Sequence, residues 1–270
     1  MATALRIALV LITLGCIYLF LVHPLWFPAG VSTQAALLDH DFYVAFWVVG
    51  ALFVAGQLAL AFVLIRRSSS PPLSPQPKHW YGNWRFEIGW TLAVAIIFFW
   101  FHISGGRLWS RIMQHTNASG QLQVEVTGAQ FQWYFRYPGA DGIFGRTDAA
   151  KFAKPDEGNP LGLDPSDLNA RDDIVSTAMV VPVGRTIQLH LRAQDVVHSL
   201  FIPAMRFKQD AVPGMEIHTQ ITPTKAGDYE IACAELCGLG HYRMRAVVRV
   251  VSEEEFKQWL HSQEMTGSSH

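Results

Sequence analysis

Cysteine is scarce in this sequence, and charge is scarcer than in an ordinary soluble protein. Three cysteines stand among 270 residues, and a secreted domain built on disulfides would need more. Charged residues make up 16% of the chain and the net charge at pH 7 is −1, so neither nucleic acid nor another polyanion is implied as a partner. No internal repeat is visible. The chain is rich in apolar residues, 50% of all positions. That is high for a soluble protein and fits membrane segments. Several of the 9 tryptophans lie at the ends of the apolar runs, where interfacial anchors sit.

Three apolar stretches occupy the first part of the chain. Residues 5–22 carry one charge, Arg6, at the start; residues 42–65 and 88–103 carry none. A spanning helix needs about 20 residues, so the third is expected to begin near Phe86 and to take in Glu87. A carboxylate at a membrane helix end is uncommon enough to need a reason. Between the second and third stretches lie Arg66, Arg67, Lys78 and Arg85 with no acid among them, which predicts a cytoplasmic loop and an outer location for the chain beyond residue 104. The Ser/Pro-rich residues 68–77 read as a flexible connector. The first stretch reads as a retained helix, with a cleaved signal segment as the other reading. Cys16 reads as a membrane-buried thiol.

From about residue 110 the pattern changes. Leu122, Val124 and Val126 alternate, as do Phe131, Trp133, Phe135 and Tyr137. Residues 186–191, 216–222, 228–233 and 244–251 are further strand-like runs bounded by Gly and Pro. Many short strands with turn signals predict a β-sandwich or barrel. Residues 139–173 break the pattern and read as a long outer loop. A last short helix is expected over 253–261, with Ser252 and Glu255 as a capping box.

The soft metal donors gather near the end. Cys233 and Cys237 are four apart, His241 comes four later and Met244 three after that, with His198 upstream. A disulfide between the two cysteines suits an oxidising side, but would not require His241 and Met244 at these intervals. A structural zinc site has no use for a thioether. A mononuclear blue-copper site takes two His, one Cys and an axial Met. The second cysteine is the departure: two thiolates can bridge two copper ions, with one imidazole on each. Such a site is closed to substrate and suits electron relay.

The run from His198 to Met244 resembles the dinuclear copper (CuA) motif of subunit II of haem–copper cytochrome oxidases. The likeness covers nearly the whole chain, including the helical hairpin and the run Lys208-Gln209-Asp210-Ala211-Val212-Pro213-Gly214. It implies an α-helical membrane anchor of two or three transmembrane helices plus an all-β cupredoxin-like domain. The divisions implied are an N-terminal helix or signal segment with an outer linker (1–40) and a transmembrane hairpin (41–104) with its cytoplasmic loop (66–85). Next come an outer-face CuA domain (105–252) with an insertion at 139–176, then a C-terminal helix and tail (253–270). The copper ligands it implies are His198, Cys233, the main-chain carbonyl of Glu235, Cys237, His241 and Met244, with both cysteines bridging.

The same resemblance bears on other positions. Glu87 matches a residue near the start of a proton path into subunit I, and a carboxylate at the inner surface is suited to collecting protons. The Glu235 side chain matches a ligand of a magnesium ion shared with subunit I. The position that admits electrons from cytochrome c is usually Trp; here Phe131 occupies it and the neighbouring Trp133 is kept, which makes Trp133 the candidate ahead of Phe131. Leu200 likewise replaces a Trp. The loop 141–173, with eight acids and four bases, suits steering of a basic donor as well as it suits a solvated loop. His190 and His218 read as surface or satisfied histidines.

The function implied is that of subunit II of a proton-pumping, oxygen-reducing oxidase, an electron-relay subunit with no oxygen site of its own. Its copper centre would be reduced by cytochrome c or another haem-c protein, and the haems would sit in partner subunits. Subunit I, subunit III and membrane lipid are the other expected partners, in a bacterial-type inner membrane with the C-terminal domain on the periplasmic face. The alternatives are a nitric oxide reductase subunit and, in a different class, a membrane-anchored copper assembly protein.

Overall fold

The computed structural model describes residues 2–22, 28–68, 82–112, 121–152 and 158–267. The connector at 68–77 falls almost wholly, and Lys78 wholly, outside the described residues. The chain divides into two compact units, Met1–Pro28 with Asp39–Arg111, and Ala29–Leu38 with Ile112–His270.

The first unit is helical. Helix α1 spans Ala2–Leu21, α2 spans Thr33–Ser68 and α3 spans Trp84–Ile112. Helices α2 and α3 are long and apolar enough to cross a membrane, while the apolar part of α1 that meets the same test of composition is the shorter Ile7–Leu21. Their large apolar side chains are exposed, Phe62, Phe86 and Ile96 among them, which in water would be a liability and in lipid is the natural state. Helices α1 and α2 meet at Gly50: a Cβ there would lie 2.1 Å from Phe20 Cε2. That glycine lets the Phe20 ring stack on Phe46 at 4.2 Å and meet Trp47 edge-on at 4.5 Å. Helix α3 starts at an Asn83 cap, whose Oδ1 accepts from Arg85 N–H at 3.1 Å. It runs past residue 104 to Ile112, because Arg107, Leu108, Trp109 and Arg111 continue it with no proline to stop it. Nothing on α3 is buried.

The second unit is a sandwich of two five-stranded sheets. The strands are β1 (Leu122–Ala129), β2 (Gln132–Tyr137), β3 (Ile174–Ser176), β4 (Met179–Pro182), β5 (Ile187–Ala193), β6 (His198–Ile202), β7 (Phe207–Ala211), β8 (Ile217–Ile221), β9 (Gly227–Cys233) and β10 (Arg245–Val251). One sheet has the order β3-β2-β1-β5-β8, the other β4-β10-β9-β6-β7. The pairs β1–β5 and β4–β10 are parallel; the other neighbours are antiparallel. Val124, Trp133, Phe135 and Leu189 from one sheet pack against Leu200, Ile231 and Val248 from the other.

Strand β2 departs from simple alternation. From Trp133 to Tyr137 every residue is buried, because the segment between β2 and β3 covers the outer face of its sheet. Arg136 anchors that cover: it donates to both oxygens of Glu125 at 3.0 and 2.7 Å, to Asp173 Oδ2 at 2.9 Å and to the Gly145 carbonyl at 2.8 Å. Phe131, expected in line with Trp133, lies instead in the two-residue turn between Ala129 and Gln132, which pair as the last rung of the hairpin.

Two further segments dock on the sandwich. Helix α4 (Glu253–Gly267) starts with the expected capping box: Glu255 N–H donates to Ser252 Oγ at 3.2 Å, and Ser252 N–H donates to Glu255 Oε2 at 2.9 Å. It continues six residues beyond the expected end at 261 and lays Phe256 and Trp259 against Tyr137. Residues 29–38, expected as part of a linker, are built into this unit: Val31 N–H donates to the Ala204 carbonyl at 2.9 Å and Thr224 N–H to the Val31 carbonyl at 2.8 Å.

Candidate metal centre

The site forms where β6 and β9 lie side by side. Leu200 pairs with Cys233 across the two strands, so the start of β6 and the end of β9 meet, and His198 comes to Cys233 from 35 residues away. His198 is the first residue of β6. The remaining donors sit on the loop from β9 to β10. That loop is closed at its base by Cys233 N–H donating to the Met244 carbonyl at 3.0 Å and Ala234 N–H to the Ser199 carbonyl at 3.0 Å. A single 3-10 turn over His241–Arg243 then returns Met244 to the cluster.

All six predicted donor groups converge. Cys233 Sγ lies 3.9 Å from His198 Nδ1, 3.2 Å from the Glu235 carbonyl oxygen and 3.9 Å from Cys237 Sγ. Cys237 Sγ lies 3.6 Å from His241 Nδ1 and 3.8 Å from Met244 Sδ. The cysteines are free thiols; their separation is far beyond a disulfide bond of about 2.05 Å. His198, Cys233, Cys237 and Met244 are buried. Burial, with Cys233 beside it, pushes the Cys237 thiol up to about 11. Two thiolates in this space therefore need a cation to hold them, which fits a metal-binding donor set.

The surrounding side chains fix the ligands. His198 Nε2 lies 2.8 Å from Asp195 Oδ1, leaving Nδ1 for the sulfur side. Asp195 also accepts from the Gln130 and Val196 N–H groups, each at 2.7 Å. Burial raises the Asp195 pKa, but the bonds from His198, Gln130 and Val196 outweigh it and hold the carboxyl below its usual range. A carboxylate behind a ligating imidazole sets ring orientation and tautomer. Sequence reasoning misses Asp195; an acid three residues before His198 is the signal that could have found it. Gln130 Nε2 donates to the Cys237 carbonyl at 2.5 Å.

Trp133 and Phe131 take different places. Trp133 is fully buried, edge-on to His198 at 5.9 Å, so a donor protein has no edge of it to touch. Phe131 is 36% exposed and lies on the glycines of the β9–β10 loop: a Cβ on Gly240 would come 2.4 Å from Phe131 Cδ2. Of the two candidates for electron entry, Phe131 is therefore the one at the surface and Trp133 the one in the core. Leu236, Leu239 and Tyr242 stand out from the same loop, 79%, 97% and 73% exposed. Leu200 is wholly buried. The Glu235 side chain is exposed, and among the described residues no group of three ligands includes it. Glu87 is exposed in the first turn of α3, in the other unit.

A two-sheet β-sandwich holding thiol, thioether and imidazole donors at the β9–β10 loop, on a chain with membrane-length helices, defines a membrane-anchored cupredoxin-like subunit. Residues 122–251 match a sequence model of the family described as cytochrome c oxidase subunit II, periplasmic domain. The alternative cytochrome c oxidase subunit 2 of Bradyrhizobium diazoefficiens is 32% identical over 264 residues, covering 96% of this chain and 92% of that protein. The cytochrome c oxidase subunit 2 of Cereibacter sphaeroides is 31% identical, covering 85% and 76%. Among solved structures, the periplasmic domain of subunit II of the Bradyrhizobium japonicum oxidase is similar at 29% identity and a TM-score of 0.41, covering 56% of this chain and 99% of that one. The chain belongs to the cytochrome c oxidase subunit II family. Family membership implies copper binding, and the cluster around His198, Cys233 and Cys237 is the candidate site.

Proposed function

We propose that this chain is the electron-receiving subunit of a haem–copper terminal oxidase. It takes electrons from a haem-c protein, cytochrome c being the expected case, and hands them to haem in subunit I, where oxygen reduction is coupled to proton pumping. The convergence of six donor groups, with neighbouring donors 3.2–3.9 Å apart, carries this reading.

Cys233 and Cys237 would bridge two copper ions as thiolates, and His198 and His241 would each offer Nδ1. The Glu235 carbonyl and the Met244 thioether would complete the set as weak ligands. Held there, a dinuclear copper centre (CuA) supplies a one-electron couple shared over two metals, with little change of geometry on reduction. The six protein groups leave no ligand position for a substrate, so the chain relays electrons and does not reduce oxygen itself. Asp195 holds the His198 ring against the site. Phe131, with exposed Leu236, Leu239 and Tyr242, supplies the apolar contact surface nearest the ligands, and we assign Phe131 the outer contact and Trp133 the inner packing against His198.

The Glu235 carboxylate, exposed beside the sulfur cluster, would give a magnesium ion one ligand, the others coming from subunit I and water. Glu87 would collect protons at the inner membrane surface. Arg66, Arg67 and Arg85 flank the connection between α2 and α3 and support a multi-pass orientation in a bacterial-type inner membrane. The sandwich would then face the periplasm, and subunit III and lipid would be neighbours.

Copper analysis joined to electron paramagnetic resonance tests the proposal on the purified complex. Two coppers per chain, hyperfine structure from two equivalent copper nuclei and reversible one-electron reduction are expected. One colourless, chelator-exchangeable Cu(I) per chain would overturn it and favour an assembly role.

A further inference from the structure

A second group of metal donors stands on the outer face of the first sheet, at its β5–β8 edge, apart from the sulfur cluster in sequence. Glu216 immediately precedes β8, and the two-residue period puts it on the same side as His218. The β5–β8 register places His190 directly opposite His218. His190 Nδ1 lies 3.0 Å from Glu216 Oε1, and His218 Nε2 lies 3.7 Å from the same oxygen. One donor atom from each of the three residues lies within 4.8 Å of the others. Ligands placed about 2.0–2.2 Å from a tetrahedral ion stand about 3.3–3.6 Å apart, so small side-chain movements bring these three around one ion.

We propose that His190, Glu216 and His218 form a binding site for a divalent transition-metal ion, with zinc as the fitting case. Two imidazoles and one carboxylate are the borderline donors such an ion prefers, and the absence of sulfur from the set disfavours Cu(I). Three protein ligands leave a fourth position for water. The His190 side chain is only 18% exposed and its ring is held edge-on by Phe144 at 5.7 Å, so one ligand is fixed. His218 is 55% exposed and is the ligand able to close on the ion. Arg192 donates to Glu216 Oε2, which leaves Oε1 for the metal and lowers its affinity through the nearby positive charge. A bound ion ties β5 to β8. Strand β5 leads into the turn that carries Asp195, the carboxylate behind His198, so the tie steadies the strand just before that turn.

The test uses the full chain in detergent with its copper loaded, equilibrated with zinc chloride and then freed of excess metal. Metal counting on wild type should give one zinc beyond the copper content, and the unfolding midpoint should rise with zinc. His190→Ala and His218→Gln should each lose that zinc and the zinc-dependent rise while keeping their copper. His218 is exposed enough that its replacement leaves the core untouched, so that variant reads the site even if His190→Ala unfolds. Wild type that takes up no additional zinc, or His218→Gln that binds as much as wild type, would overturn the proposal.

Discussion

Replacing Arg136 by methionine should destabilise the sandwich by about 3–4 kcal/mol, the lower part of the range for breaking a buried ion pair. The Arg136 side chain is 2% exposed and bridges two carboxylates, Glu125 at 4% and Asp173 at 0%. Its guanidinium also lies 4.8 Å from the Phe144 ring centre. Methionine fills much of the volume but neutralises neither acid. Arg192 Nε, 3.3 Å from Glu125 Oε2, compensates one of them in part, which keeps the cost out of the upper range. For a unit of this size each kcal/mol moves the midpoint by about 2–4 °C, so a fall of about 6–16 °C is expected. Thermal unfolding of the full chain in detergent, followed by the β-sheet amide I infrared band, reads the sandwich apart from the helical anchor.

The pH dependence sharpens this test. Burial pushes the Asp173 carboxyl up to about 6, against the opposing pull of Arg136 and the Gly145 N–H. An acid whose folded pKa lies above its unfolded value, about 3.9, binds protons more readily when folded. Its contribution to stability is therefore greatest below about pH 4, falls as pH rises to about 6 and is level beyond. Removing Arg136 raises the folded value further and carries the loss above pH 6. The deficit of Arg136→Met against wild type should then be larger at pH 8 than at pH 5. Neutralising all three as Glu125→Gln, Arg136→Met and Asp173→Asn together should recover much of it. A deficit below about 1 kcal/mol, the ceiling for an exposed pair, or one independent of pH, would refute the reasoning.

Phe131→Ala should slow reduction by the haem-c donor with copper content unchanged, whereas Trp133→Ala should destabilise the core by about 3–5 kcal/mol; stopped-flow reduction and thermal unfolding separate the two, and a slower donor step for a stably folded Trp133→Ala alone would reverse the assignment. Asp195→Asn should weaken copper retention by about 10–100-fold in dialysis against a chelator, and full retention would deny the carboxylate its hold on His198. Ser252→Ala should remove the α4 cap at a cost of about 1 kcal/mol, read as a lower unfolding midpoint; an unchanged midpoint would mean Glu255 alone secures the helix start.

The sequence displays whatever is periodic or closely spaced. The three apolar runs, the alternating strands β1, β5, β8, β9 and β10, and the Ser252–Glu255 cap are local patterns, and each is found in place. Strands β3, β4, β6 and β7 are not legible because they are short, and because β4 and most of β6 are buried on both faces. Alternation marks a strand only when one face meets water. The position of Phe131 is hidden for a related reason. Its apolar character continues the stripe of Trp133, Phe135 and Tyr137, yet the Ala129–Gln132 rung makes it a turn residue.

The copper donors and the His190 group show where such reading stops. Five of the six copper donors lie on one short segment, so their chemistry is visible before any fold is known. The sixth, His198, lies 35 residues before Cys233, and the resemblance to the oxidase motif, not its spacing, singles it out. His190, Glu216 and His218 have no such motif to announce them. His190 and His218 belong to a row fixed by register: His218 faces His190, His190 faces Glu125 and Glu125 faces Arg136 across four strands. A shift of one residue in any of these pairings would turn its members toward the opposite face of the sheet. The packing of Val124, Phe135 and Leu189 on the inner face therefore sets which polar groups meet on the outer one. The apolar core determines the outer row of charges and imidazoles, as the β6–β9 register determines the closure of the copper site.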